Sequence, residues 1–205
     1  MTTPVTISSL KPDGGIYCLD FLNTLSDRFK TDPTELLQTY KDLSLWCHQT
    51  EIISPKIIQT LERLAKDYPV KAAQAFDKGL RLRELLYTIF RQVISRKPLA
   101  DNDLLTLNTY ISEAYTNLEF SWDKRLGHGQ LSLSAPGLEL PIWKIVQSAA
   151  GLLATPQVKA VKQCPRCGKL FLDKSKNGSR RWCSMATCGD VTKVTRFQQK
   201  NKKTK

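Results

Sequence analysis

Histidine is almost missing from this chain: two residues, His48 and His128, in 205. Neither has a second histidine placed to form a recognisable catalytic pair. His48 follows Trp46-Cys47 near the end of a helical pattern, and His128 sits in a Gly-His-Gly loop. Also missing are a glycine-rich phosphate loop, a nucleophile elbow and a His-Glu-x-x-His pair. These gaps argue against an enzyme. No apolar run approaches the roughly 20 residues that a membrane span needs. The opening MTTPVTISSLKPDGG lacks the basic start and apolar core of a signal peptide. A cytoplasmic protein is expected, one that does not engage a membrane and whose thiols stay reduced. There is no internal repeat.

What is abundant is positive charge, and it is concentrated. The net charge is +12. From Cys164 to Lys205 there are 12 basic residues and 2 acidic ones, whereas residues 1–163 carry 19 and 17. A near-neutral body therefore precedes a strongly basic end. A solvated tail and a polyanion-binding module both fit that distribution.

Residues 1–157 are expected to form a mainly helical domain with a minor β-hairpin. Thr39-Tyr-Lys-Asp42 has the form of a capping box and precedes Leu43, Leu45 and Trp46. Ser54-Pro55 opens a second helical pattern that Pro69 closes. The strongest segment runs from Ala72 to Val93, with apolar residues on one broad face, and Pro98 stops it. Asp101 is placed to cap a further helix bearing Leu104, Leu107, Ile111, Ala114 and Leu118, and Pro141 opens another. Between these, Leu118-Glu-Phe-Ser-Trp122 and Gln130-Leu-Ser-Leu-Ser134 alternate with period two and predict a hairpin. Gly14 to Leu25 reads as a strand entering a helix or as a helix throughout. Asp20, Asn23 and Thr24 stand there among residues that look buried. Such polar groups need partners. They either cap backbone locally or form a corner of a ligand pocket. Cys18 and Cys47 lie in apolar contexts and are assigned to packing.

The remaining four cysteines fall in residues 158–205, with the spacing Cys164-x2-Cys167-x15-Cys183-x4-Cys188. A Cys-x-x-Cys-Gly turn lets two thiolates converge. Leu170-Phe-Leu172 reads as a strand, Asn177-Gly178 as a hairpin turn and Arg180-Arg-Trp182 as the returning strand. A helix from about Ser184 would carry Cys188 in its first turn. Four thiolates in a reducing compartment fit one structural Zn²⁺ with no position left for a catalytic water. A thioredoxin-type pair needs no second pair, and disulfides need an oxidising compartment. A basic hairpin favours zinc over an iron–sulfur cluster. So short a segment also has too few apolar residues to fold without metal.

The run Cys164-Pro-Arg-Cys-Gly-Lys, Phe171-Leu-Asp173, Ser175-Lys176 and Ser179-Arg-Arg-Trp-Cys-Ser-Met-Ala-Thr-Cys-Gly189 resembles the CGNR zinc finger. Tyr17-Cys-Leu-Asp-Phe-Leu-Asn-Thr24 resembles the opening of the ABATE domain, and Leu43-Ser-Leu-Trp46 the helix after it. The resemblance implies a bacterial, stress-induced transcription regulator: a helical domain that senses a small ligand or dimerises, then a small treble-clef-like or ribbon-like finger that docks on DNA. The contact candidates are Lys176, Arg180, Arg181, Lys193, Arg196 and Lys200. An RNA-binding module and a zinc-shaped protein-interaction module are the alternatives. One departure stands out: Cys188-Gly-Asp190-Val191 replaces the Cys-Gly-Asn-Arg that names the family.

Overall fold

The structure is a computed structural model that describes residues 6–133 and 137–194. Arg196, Lys200 and the basic tail of residues 202–205 lie outside the described residues. Six α-helices and three two-stranded antiparallel sheets make up the described chain, and helix dominates. Among these residues no helix is long and apolar enough to cross a membrane.

The spine is α4, Pro69–Ile94, whose 26 residues span about 39 Å. Its buried positions recur at three and four residues: Ala72, Phe76, Gly79, Leu82, Leu86, Phe90. Around it pack α2 (Tyr40–Gln49), α3 (Pro55–Asp67), α5 (Asp101–Thr116) and the strongly apolar α6 (Leu140–Leu153). Helix α1, Tyr17–Leu22, is only six residues long, yet everything after Tyr17 in it is buried. The Gly14–Leu25 stretch is therefore neither a strand entering a helix nor helix throughout: bends at 14–16 lead into the short helix, and Leu25 begins a strand beyond it. Phe21 meets Trp46 at 5.4 Å between ring centroids. Truncating a side chain as enclosed as Phe21 or Phe90 to Ala would cost about 3–5 kcal/mol.

The punctuation of the sequence is mostly realised. Asp42 Oδ2 accepts from the Thr39 backbone N–H at 2.8 Å, and Thr39 Oγ1 accepts from Asp42 N–H at 3.4 Å, so the capping box closes. Pro69 ends α3 and starts α4. Asp101 differs from expectation. Ala100 is the extended residue before α5, and Asp101 lies inside the first turn, where its charge faces the positive end of the helix.

The expected hairpin forms from β3, Leu118–Asp123, and β4, His128–Leu133, with Phe120 opposite Leu131. His128 therefore begins a strand. Phe120, Trp122 and Leu131 are each about two-thirds exposed. A second small sheet, β1 (Leu25–Ser26) with β2 (Thr34–Glu35), brings Glu35 to Arg83 of α4. The buried Arg83 guanidinium also donates to Thr24 Oγ1 at 3.1 Å and to Glu84 at 3.0 Å.

The third sheet corrects an expectation. β6, Leu170–Leu172, pairs with β5, Val161–Gln163, and Arg180–Trp182 is no strand. Leu170 and Leu172 join the main core together with Val161, while Phe171 points the other way into the cysteine cluster. With β5 on one edge and the helical body against the other, β6 has no free edge for a returning strand. Asn177-Gly178 still makes a turn, closed by Gly178 N–H to Ser175 O at 3.1 Å. The core thus runs past residue 157 into the finger.

Candidate metal centre and nucleic-acid interface

The first knuckle grows directly out of β5. Cys164 N–H donates to Lys169 O at 2.8 Å, and Gly168 N–H to Cys164 O at 3.0 Å, which folds Cys164 and Cys167 onto one side. Gly168 has φ +78°, and a Cβ there would lie 3.0 Å from Arg28 Cβ and 3.3 Å from Tyr87 Oη. Glycine is needed at that point both for the backbone angle and for the close approach.

The loop after β6 is organised by Asp173, a residue whose role was not legible in the sequence. Its buried carboxylate accepts from Lys162 Nζ (2.7 Å), Ser175 Oγ (2.6 Å), Ser175 N–H (2.9 Å) and Arg180 N–H (3.0 Å). The Lys162 ammonium, followed by Ser175, holds this carboxyl well below the usual carboxylate range. The Asp-x-Ser spacing was the available signal, since Asp commonly bonds the backbone two residues on. Beyond the loop, Cys183 leads into a wide π-type turn, Met185–Gly189, which continues as helix through Val194. Ser184 receives the first bonds of that turn through its carbonyl, from Cys188 and Gly189 N–H, and its side chain makes no cap.

These elements bring Cys164, Cys167, Cys183 and Cys188 together. All four are buried, and their sulfurs lie within 4.8 Å of one another. Three separations are 3.5, 3.6 and 3.6 Å, for Cys167–Cys183, Cys183–Cys188 and Cys188–Cys167. A tetrahedron with Zn–S near 2.3 Å requires S···S of about 3.8 Å. The cluster therefore fits one structural zinc with every coordination position taken by protein. Without metal, hydrogen bonds from Cys167 and Cys183 hold the Cys164 thiol below its ordinary range. The bond to Cys164 in turn raises Cys167 and Cys183. Zinc loading must accordingly displace protons. Cys18 and Cys47, by contrast, are enclosed in the helical core, where burial pushes both thiols up, Cys18 to about 12. That is the packing role expected of them.

The knuckle is clamped onto the helical body. Asn23 Nδ2 donates to Leu170 O at 2.8 Å, and Leu170 N–H donates to Asn23 Oδ1 at 2.9 Å. Tyr87 Oη donates to Gly168 O at 2.9 Å and accepts from Gln163 Nε2 at 2.8 Å. Arg28 N–H donates to Cys167 O at 3.0 Å, and its guanidinium stacks 3.7 Å from the Tyr87 ring centroid. Leu172 N–H donates to Gly14 O at 2.8 Å.

The expected pocket residues are thus bound up with the fold. Asn23 holds Leu170. Thr24 Oγ1 donates to Phe21 O and accepts from Arg83. Asp20 accepts from Gly14 N–H at 2.7 Å, and burial pushes its carboxyl up to about 6. Of the three, Asp20 alone edges a concavity, shared with Tyr17, Gln49 and Glu51. A larger groove of about 690 Å³ lies elsewhere, between the start of α2 and the α3–α4 junction, lined by Tyr40, Ala65, Ala72 and Phe76 with Lys41 and Lys66 at its rim.

The basic residues divide into two kinds. Arg180 is turned inward: its guanidinium lies 4.5 Å from the Phe171 ring centroid, Nε donates to Trp182 O at 3.0 Å, and Nη2 donates to Asp13 O at 3.2 Å and to Cys183 O. Lys176, Arg181 and Lys193 are exposed. Arg181 lies 5.2 Å from the ring of Trp182, which itself packs against the thiols. Lys193 Nζ is 3.6 Å from Asp190, the residue standing where the family name has Asn. Arg166, also exposed, points a guanidinium nitrogen at Cys188 Sγ from 3.7 Å and adds a cation that the sequence reading passed over.

A small zinc finger docked on a helical body defines the class: a metal-dependent module joined to a helical domain. The family follows from comparison. The ABATE profile, described as "Putative stress-induced transcription regulator", matches residues 15–156, and the CGNR zinc finger profile matches residues 161–201. The chain belongs to the ABATE family and carries a C-terminal CGNR zinc finger. Comparison with individual curated proteins returns no match.

Proposed function

We propose that this protein is a DNA-binding transcription regulator in which zinc fixes a cationic finger surface for contact with duplex phosphates. The observation that carries the reading is the sorting of charge on the finger. Arg180 and Lys162 are consumed internally, while Lys176 and Arg181, and Arg166 and Lys193 beside their contacts to Cys188 and Asp190, are exposed on a frame held by four thiolates. Phosphate contacts of this kind give affinity and register, and sequence preference needs one cation in a groove. Arg181, beside the Trp182 ring, is the candidate. The reading assigns no catalysis, because four protein ligands leave the metal no open position.

The test is anisotropy of a labelled duplex titrated with the zinc-loaded full chain at several salt concentrations. Binding should weaken with salt, with a log–log slope of about −0.9 per phosphate neutralised, and should vanish on chelation. No binding at low salt refutes the reading, and so does structured RNA that competes better than duplex DNA. The helical domain's share is sensing a small effector. The 690 Å³ groove supports it, having a size typical of ligand sites. Native mass spectrometry should find a ligand retained by the wild type and lost by Ala72→Trp; finding none in either would remove this part.

A further inference from the structure

The two halves of the zinc site are held by different means. The half that supplies Cys164 and Cys167 belongs physically to the helical domain. Val161, Leu170 and Leu172 are part of the main hydrophobic core. Asn23, Tyr87, Arg28 and Gly14 together make five hydrogen bonds to the backbone between Cys167 and Leu172. None of these bonds involves a sulfur. Between the halves, residues 173–180 are knotted by the Asp173 carboxylate, and Lys162 Nζ reaches from β5 to the carbonyls of Gly178 and Arg180. The half that supplies Cys183 and Cys188 is different. Among the described residues, 181–194 are joined to the rest chiefly through Arg180, through the thiols and through Trp182 packed beside them. Their other apolar side chains, Met185, Val191 and Val194, are roughly half exposed. That segment buries too little to hold itself down.

We infer that Asn23, Arg28 and Tyr87 form a docking site that holds the first metal knuckle in place regardless of metal, and that zinc occupancy governs the order of residues 181–194 alone. Metal binding is then a latch on a half-built site. The usual coupling of zinc to folding is confined to the segment that bears Arg181 and Lys193. The consequence for polyanion binding rests on the function proposed above; the latch does not.

Hydrogen exchange with mass spectrometry on the full chain, zinc-loaded and after chelation, tests it without any nucleic acid. On chelation, amides of 181–194 should exchange about tenfold faster or more, those of 165–172 should keep their protection, and readded zinc should restore the first group. Loss of protection over 165–172 together with 181–194 overturns the inference. Unchanged exchange over 181–194 overturns it equally. In Asn23→Ala, chelation should now expose 165–172 as well. Should that variant fail to fold, Tyr87→Phe removes only the hydroxyl on Gly168 O, and chelation should then raise exchange in 165–172 above that of the chelated wild type. Equal exchange in the two would count against the docking site. Duplex binding measured on the same samples reports separately on the DNA reading, so each can fail alone.

Discussion

Asn23→Ala is the sharpest single test of how this molecule is assembled. The Asn23 amide occupies the edge of β6 that a neighbouring strand would otherwise take. It satisfies both the N–H and the carbonyl of Leu170, a residue with no solvent exposure. Alanine leaves a donor and an acceptor buried without partners, each costing about 1–3 kcal/mol. The combined loss should be about 2–6 kcal/mol, or roughly 4–24 °C in Tm for a chain of this size. The assay is urea unfolding of the zinc-loaded protein, with the midpoint and slope giving the free energy. Trp46, in the helical core, and Trp182, against the thiols, report on the two regions. Asn23→Asp sharpens it further. The carboxylate still accepts from Leu170 N–H, but it opposes Leu170 O and buries a charge. It should be at least as damaging as Ala at pH 7 and less so in acid, where the carboxyl can protonate and donate. A loss below about 1 kcal/mol for Asn23→Ala would refute the reasoning.

Four further outcomes are expected. Cys183→Ser should abolish stoichiometric zinc in metal analysis, because three thiolates and a hydroxyl no longer close the site. Asp20→Asn keeps the acceptor for Gly14 N–H and removes a carboxyl pushed up to about 6. The native state holds that proton after the unfolded chain has released it near pH 4. The Asp20 contribution is therefore complete below about pH 4 and lost as pH rises towards 6, so the variant should flatten the fall in stability across that window. Arg180→Ala should lower finger stability in exchange or unfolding measurements, whereas Arg181→Ala should leave stability alone and reduce the salt slope of duplex binding by about one. Restoring the family residues with Asp190→Asn and Val191→Arg frees Lys193 from its carboxylate and adds a cation. Duplex affinity should rise and the salt slope should steepen; unchanged binding would place this turn away from the duplex.

The period-3.6 patterns, the closed capping box and the helix-opening prolines were legible because each is decided within a few residues. The four thiol ligands were legible for a related reason: spacing and residue type suffice for zinc chemistry. The partner of β6 was not. Asn177-Gly178 is a strong local turn signal, and Val161-Lys-Gln163 is too short to announce a strand. Burial of Leu170 and Leu172 in the core of the helical body outweighs the local signal, as it occupies the edge a returning strand would need. Asn23 was recognisable as a buried polar residue that needs a partner, but Leu170 lies 147 positions away. Arg180 is the opposite case. In a basic run it reads as a phosphate contact, yet a ring and three carbonyls surround it.

These departures share one cause. Leu170 at the clamp, Phe171 under Arg180 and Asp173 at the loop hub all lie in or next to a single three-residue strand. Alternation along that strand sends Leu170 and Leu172 into the helical core and Phe171 into the thiol cluster. A side chain facing one core cannot shift without moving its neighbours in the other, since a one-residue slip would exchange the two faces. The strand therefore couples the helical domain to the metal site. Exposed lysines such as Lys176 touch neither core, and their substitution should change phosphate contact without disturbing that coupling.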